Sequence, residues 1–568
     1  MQRLCRWFSI LTIVIFFSGA GAAWGMLLVQ AGLQDKLKDP TYWSGLCNLL
    51  SESDKNDDAL KACEQAILLR PKNPIYWADH SGVLLKLKKY PEAIASAEKS
   101  LSIDPKTSLA LTYKCIAFQA LNRQEEALDA CTQALKVDGN WGRESPKLAW
   151  LHRGIILTQQ GEYEQAITSY DRTLIIEPKD SLAWAYRCQT LVKMEQFPQA
   201  IASCNQALNG NGKWGDQTPA LAWANLAQAH RQLGKLPQAI ADYDQLFTID
   251  PSDATAWTNQ GQILTQLSRF TEALTSYNQA VALNPKSSLA QLGRCVALNR
   301  TGNYKDAQGA CDAAIKGDGN WSTIGPAQAW NEQGIALAGQ GQYEAALASL
   351  NRAVGIKPDY VEAWSNRSIA LWYLMKYDEA LASSKQAISL NPKYAPAWFN
   401  LGMSANSLGQ YTSALEDDNR ALELDPNNTQ GWISLSNVLW HLQKYPEAIT
   451  ATDRAILLDP KSFAAWYNRA VVLTNLDRYP EALFAYNTAI KINPQNADAL
   501  TGQGVVLSKL ERYPEALAAL QAALKINANQ PVAQVTLKMV MKQISQQPPP
   551  AVPSANKLPP LPQLQPGN

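Results

Sequence analysis

Alanine occupies one register of a 34-residue frame fourteen times without exception: Ala59, Ala93, Ala127, Ala166, Ala200, Ala239, Ala273, Ala307, Ala346, Ala380, Ala414, Ala448, Ala482 and Ala516. A fixed period of this length describes a stack of small units, each resting on its neighbours, in place of one central core. Alanine is the smallest residue that still favours a helix. The register therefore marks where two helix backbones approach most closely.

The rest of the frame fills in around it. Counting units from Pro40, Pro74, Ser108 and onward, position 4 is Trp in eleven units, from Trp43 to Trp466, so it is part of the repeat and not decoration. Position 11 is mostly Leu, position 17 is usually aromatic (Tyr90, Tyr163, Phe270, Tyr445), and position 27 is mostly Ala. Position 32 is usually Pro after Asp or Asn, as in Asp250-Pro251 and Asn493-Pro494. Apolar residues at helical spacing on either side of a short turn predict two helices per unit. Proline cannot continue the second helix, so it closes the unit.

This pattern resembles the tetratricopeptide repeat: Trp398-Phe399-Asn400-Leu401-Gly402, followed by Tyr411, Ala414, Ala421 and Pro426, is a close match. The likeness spans residues 40–530 in fourteen units. Single positions depart from it: Gln291 and Leu500 replace the Trp, and Ala528 replaces the last Pro. The resemblance implies an all-α solenoid of stacked antiparallel helix pairs wound into a right-handed superhelix. It also implies that protein or peptide partners lie along a concave groove lined by the first helices.

The N-terminus, residues 1–39, reads as a targeting segment. Arg3 and Arg6 precede an uncharged run from Trp7 to Leu33. As a helix that run reaches about 40 Å, enough for a hydrocarbon core of about 30 Å. Length favours an uncleaved signal-anchor over a signal peptide cut near Ala20-Gly21-Ala22. The flanking arginines keep the short N-terminus cytoplasmic. A single-pass membrane protein follows, with its repeats in a periplasm or lumen and residues 7–33 in the bilayer; the alternative is secretion after cleavage.

Eight of the nine cysteines support that address. Cys47 and Cys63, Cys115 and Cys131, Cys188 and Cys204, and Cys295 and Cys311 each occupy positions 8 and 24 of one unit. They arrive together or not at all. Free core cysteine is the plain alternative, but independent substitutions would rarely land as matched pairs. In an oxidising compartment the expectation is four disulfides within repeats, each contributing about 3 kcal/mol. Three of these units are followed by five extra residues, at 142–146, 215–219 and 322–326, each after a Gly-x-Trp. The loops should project from one edge and offer Trp141, Trp214 and Trp321 to a partner. The alternative is that each Trp folds back over the end of its own helix pair.

Candidate groove residues come from positions 6 and 7 of the first helix. Position 6 is Asn225, Asn259, Asn366, Asn400 and Asn468; position 7 is Arg153, Arg187, Arg294, Arg367 and Arg469. The resemblance implies that such asparagines bond a ligand backbone, since an amide both donates and accepts. The arginines are expected to reach a carboxylate while their stems cover apolar surface. Solvated asparagines, and arginines paired with neighbouring helices, remain open. Replacing Asn366 together with Asn400 is expected to weaken capture and leave stability unchanged.

Residues 531–545 read as a capping helix with Val532, Val535 and Met539 toward the last repeat and Lys538 and Lys542 outward. Residues 546–568, rich in Pro and Gln, read as disordered or polyproline-like. A net charge of +1 offers no basic stripe for nucleic acid. The four histidines share no metal-ligand spacing, and no phosphate loop, G-x-S-x-G elbow or H-E-x-x-H appears. No cofactor or enzyme activity is expected. The expectation is a membrane-tethered interaction scaffold. The alternative is a structural component of an envelope or secretion assembly, contacting polysaccharide through the Trp-bearing loops.

Overall fold

The computed structural model describes residues 36–321 and 325–546. Among these residues are twenty-nine α-helices and no strand. First and second helices alternate throughout: Ser181–Lys193 and then Phe197–Leu208 form one hairpin, and Tyr377–Leu390 follows Val361–Tyr373 in another. The helices fall into two compact units, one ending at Leu267 and the other beginning at Ser268. Within each unit a helix packs on the next in sequence, and each first helix also touches that of the following hairpin. The expected all-α solenoid is the observed architecture.

All fourteen alanines of the defining register are fully buried. Position 4 explains its own coupling to position 32. The indole Nε1 of Trp77, Trp184, Trp364, Trp398 and Trp432 donates to the carbonyl of the Pro six residues earlier, at 2.8–2.9 Å. Gln291 replaces Trp and its carboxamide makes the same bond to Pro285, at 3.2 Å. Between the helices, residue 15 of every unit has positive φ, from Asp54 at 57° to Gly161 at 86°. A left-handed residue is the common way to end one helix and turn into the next.

Positions 8 and 24 face each other inside each hairpin, and small residues there meet large ones. A Cβ on Gly154 would stand 2.5 Å from the Tyr170 ring, and one on Gly402 would stand 2.3 Å from Asp418 Oδ1. Where both are cysteine, the same close approach gives Cα–Cα distances of 5.2–5.3 Å and puts the sulfurs at disulfide distance.

The final helix, Pro531–Gln546, corrects one expectation. Val532, Val535 and Met539 are not turned toward the last repeat; each is more than half exposed. Ala533, Val540, Leu537 and Ile544 pack against the preceding hairpins instead. The reason is that the 34-residue frame runs on past its fourteenth unit. Ala533 falls at position 3, an alanine in most units, and Gln534 at position 4 donates to Ala528 O at 2.7 Å as the tryptophans do. The helix docks as one more first helix.

Among the described residues no helix is long and apolar enough to cross a membrane. The apolar run 7–33, loop residues 322–324 and the tail 547–568 lie outside the described residues.

Candidate binding face of the first helices

Within each unit, position 6 of successive first helices forms a row, but its asparagines do more than line it. Asn400 is buried and its Nδ2 donates to Ser365 O, Ser365 Oγ and Ser368 Oγ at 3.0–3.1 Å. Asn366 Nδ2 donates to Asn331 Oδ1 at 2.9 Å, and Asn468 Nδ2 to Ser436 Oγ at 3.0 Å. Asn259 Oδ1 accepts from Arg231 at 2.9 Å. In all four the partner belongs to the preceding first helix. Asn225 bonds within its own helix, to Leu221 O at 2.7 Å. The row stitches neighbouring hairpins together.

The arginines of position 7 extend the other way, to the second helices. Arg187 Nε donates to Asp171 at 2.8 Å and its NH1 to Ser203 Oγ at 2.6 Å. Arg367 bonds Asn351 and Ser383, Arg469 bonds Asp453, and Arg153 bonds Ser169. Arg294 leaves its buried Nε without a hydrogen bond. Arg153, Arg187 and Arg367 also lie over the rings of Trp150, Trp184 and Trp364. The structure thus separates two rows that sequence reasoning placed on one face. Arg187 and Arg469 pair with an Asp of a neighbouring helix, as the alternative for the arginines had it, whereas Arg153 and Arg367 bond neutral side chains there.

The inserted loops hold their tryptophans back over their own hairpins, the alternative stated for them. Trp141 is half-buried against Leu111, Ala134 and Ala149, and Trp321 is half-buried against Leu292, Ala314 and Ala329. Trp214 packs in the same way on the cluster of Ala207 and Ala222. Each ring closes the seam between its own second helix and the next first helix. Two of the loops are described in full, and they turn inward. The ideal Cβ of Gly142 meets Leu109 and Ile75, and the Arg143 guanidinium lies 3.8 Å from that of Gly45. Arg143 and Glu144 act electrostatically on Asp79, and Glu144 on Tyr113. Asp216 of the second loop acts on His152 and Tyr186. Gly45, Asp79, Tyr113, His152 and Tyr186 are the position-6 residues of the first five units. The loops therefore run along the same row that asparagine fills farther on.

The anchorage of the loops follows a signal that the sequence reading missed. Pro105-Lys106-Thr107-Ser108-Leu109-Ala110, Pro178-Lys179-Asp180-Ser181-Leu182-Ala183 and Pro285-Lys286-Ser287-Ser288-Leu289-Ala290 share a Pro-Lys-x-Ser-Leu-Ala pattern, and only these units carry an insertion. The hydroxyls of Ser108, Ser181 and Ser288 accept from Gly139, Gly212 and Gly319 N at 3.0–3.1 Å. The carbonyls of Lys106, Lys179 and Lys286 accept from Asn140, Asn211 and Asp318 N at 2.7–3.0 Å. A Cβ on Gly210 or Gly317 would stand 2.4 Å from the serine hydroxyl, so only glycine permits this approach.

Burial tunes the row. It pushes Asp79 up to about 6 against the opposing hydrogen bonds of Asn48 and Ser44 and the charge of Arg143. It drives His152 down to about 4, where Nδ1 is shared with Gln119 Oε1 at 2.7 Å. Glu332 is also raised by burial, and its carboxylate accepts from Asn299 at 2.9 Å. Beside the second loop a cavity of about 320 Å³ opens, lined by Gln159, Tyr186, Gln189, Lys193, Gln217 and Leu221 among others. Carboxamides, a phenol and one ammonium converging on such a space suit the backbone and side chains of a peptide. Among the described residues no group of three or more His, Cys, Asp or Glu is placed to hold a metal ion.

Stacked helical hairpins with a tyrosine- and amide-rich first-helix face define a repeat protein built to present surface. The comparisons give the class its name. Tetratricopeptide repeat profiles match residues 46–107, 116–181, 189–254, 224–288, 258–322 and 366–429, more than half of the chain, with further matches at 334–374, 463–496 and 485–518. The chain belongs to the tetratricopeptide repeat family. A protein prenyltransferase alpha subunit repeat also matches residues 445–476. Among solved structures, the APC/C hetero-tetramer Cut9-Hcn1 is similar at 17% identity and TM-score 0.42, over 88% of this chain and 96% of that one. YrrB, a TPR protein with an unusual peptide-binding site, is similar at 23% identity and TM-score 0.30, over 33% of this chain and 97% of that one. No curated protein matches the chain.

Proposed function

We propose that this protein is a non-catalytic scaffold of fourteen repeats that holds partner proteins or peptides on the face of its first helices, outside the cytoplasm. The segment 7–33 would tether it to the membrane. The observation that carries the binding reading is the cavity beside the second loop, where Gln159, Gln189, Gln217 and Lys193 converge on the first-helix side. The compartment rests on the four cysteine pairs at disulfide distance. Such pairs persist where thiols are not kept reduced.

Position 6 divides the face into two kinds of surface. In the first five units it is covered in part by the inserted loops. From Asn366 onward it is a stitched row whose exposed neighbours remain open to a ligand. The arginines belong to the hairpin seams and support the face from behind. The Trp-bearing loops contribute through Asp216, Gln217, Arg143 and Glu144, with the indoles holding the loops in place.

The test is retention of partners by the full chain isolated from its native membrane fraction. Gln189→Arg fills the cavity with a second cation and is expected to reduce retention of the bound proteins about tenfold or more, a loss of about 1.4 kcal/mol. Gln199→Arg, on the exposed side of the second helix in the same hairpin, is expected to leave it unchanged. Equal retention by wild type and Gln189→Arg would remove the assignment.

A further inference from the structure

Phe484 is out of keeping with its register. It stands at position 22, on the outer side of a second helix, where the other thirteen units carry Lys61, Asp129, Glu416, or a small residue such as Ala95, Thr168, Gly309 or Thr450. Its ring is 62% exposed, so it does not serve the core. It lies edge-on to Trp466, centroids 5.9 Å apart and planes at 73°. Together with Ile456 and Pro480 the two rings line a cavity of about 390 Å³. The charges at its rim are already satisfied: Arg469 bonds Asp453 at 2.8 Å, and Arg478 bonds Glu481 through two bonds. The Trp466 Nε1 is spent on Pro460 O. What remains open is aromatic, apolar and neutral, which suits an uncharged proline-rich strand packing its rings between aromatic side chains.

We propose that this cavity holds the chain's own segment 547–568, through Leu558-Pro559-Pro560-Leu561-Pro562. That segment carries eight prolines and a single charged side chain, Lys557, so its chemistry matches a neutral aromatic cleft. It begins where the helix Pro531–Gln546 ends. Three helix-to-helix steps separate that helix from Tyr479–Ile492, which bears Phe484. At about 8–10 Å per step this is roughly 30 Å. The eleven residues 547–557 that lead to Leu558 span about 34 Å as an extended polyproline strand, at about 3.1 Å per residue, which covers that distance. Tethering raises the effective concentration of the segment, so a weak contact suffices. The proposal does not rest on the first-helix reading.

Tryptic cleavage at Lys557 in the intact full chain tests it. Docking should slow the cut in wild type by about tenfold relative to Phe484→Thr, because cleavage follows the population of the released strand. Threonine occupies this register in three other units, so that variant keeps the helix. Phe484→Trp should keep the protection, and replacing Pro559 and Pro560 with alanine should abolish it. The protection should not change on hundredfold dilution. Equal cleavage of wild type and Phe484→Thr would overturn the proposal. Protection that disappears on dilution would overturn it as well, assigning the cavity to the tail of a second copy.

Discussion

Asp418 shows how far a single residue can be forced by the repeat. It fills position 24 opposite Gly402, fully buried, with one oxygen accepting from Ser434 Oγ at 2.9 Å and the other without a partner. Burial pushes it up to about 7, with nearby Asp417 adding to the rise. The folded chain keeps a proton that the unfolded chain releases near 3.8. Stability is therefore full at acidic pH and falls as pH rises from about 4 through 7, by about 1.4 kcal/mol for each step of one in pH. Asp418→Asn should make that decline shallower, read as urea midpoints from pH 4 to 8, leaving the part due to buried Asp79 and Asp417; a wild-type curve that is flat over this range would contradict the assignment. Asn400 changes an expectation at the same scale. Its amide serves three acceptors on the preceding first helix, so Asn400→Ala should cost about 1–3 kcal/mol in thermal or urea unfolding. Stability unchanged in Asn400→Ala would restore it to the list of free ligand-binding groups.

At the scale of the helix and the hairpin, much was legible in the sequence. The alanine register, the Trp at position 4 and the Pro at position 32 each report a contact made within one unit, and such contacts repeat. The cysteine pairs were legible for the same reason, because positions 8 and 24 meet inside one hairpin. What was not legible depends on contacts between units. The anchorage of the loops rests on Ser108, Ser181 and Ser288, about thirty residues upstream. The bonds of Asn366 and Asn400 go to the preceding hairpin, and nothing in their own unit announces it. The face of the final helix follows the frame of the units before it, and its own apolar residues do not reveal that. One prediction belongs here. Non-reducing peptide mapping of protein from its native compartment should link Cys47 to Cys63, Cys115 to Cys131, Cys188 to Cys204 and Cys295 to Cys311. Reduction should then lower stability by about 3 kcal/mol for each closed loop. Thiols that alkylate freely would remove both the bonds and the extracytoplasmic assignment.

Over the whole molecule, stability is close to a sum of hairpins and the seams between them. Function then depends on which surface the seams leave free. In the first unit of the fold the inserted loops rest on the position-6 row and leave a polar cavity beside them. In the second, an aromatic cluster of Tyr343 stacked on Tyr373, with Trp372 beside them, stands at the turn end of the first helices. The most direct measurement compares the two sides of one hairpin in the cell. A photo-cross-linking residue placed at Gln189 on the first helix, or at Gln199 on the second, reports what each side touches. The account predicts protein adducts from position 189 and none from position 199. Adducts from position 199 alone would place the partner on the second helices and contradict it.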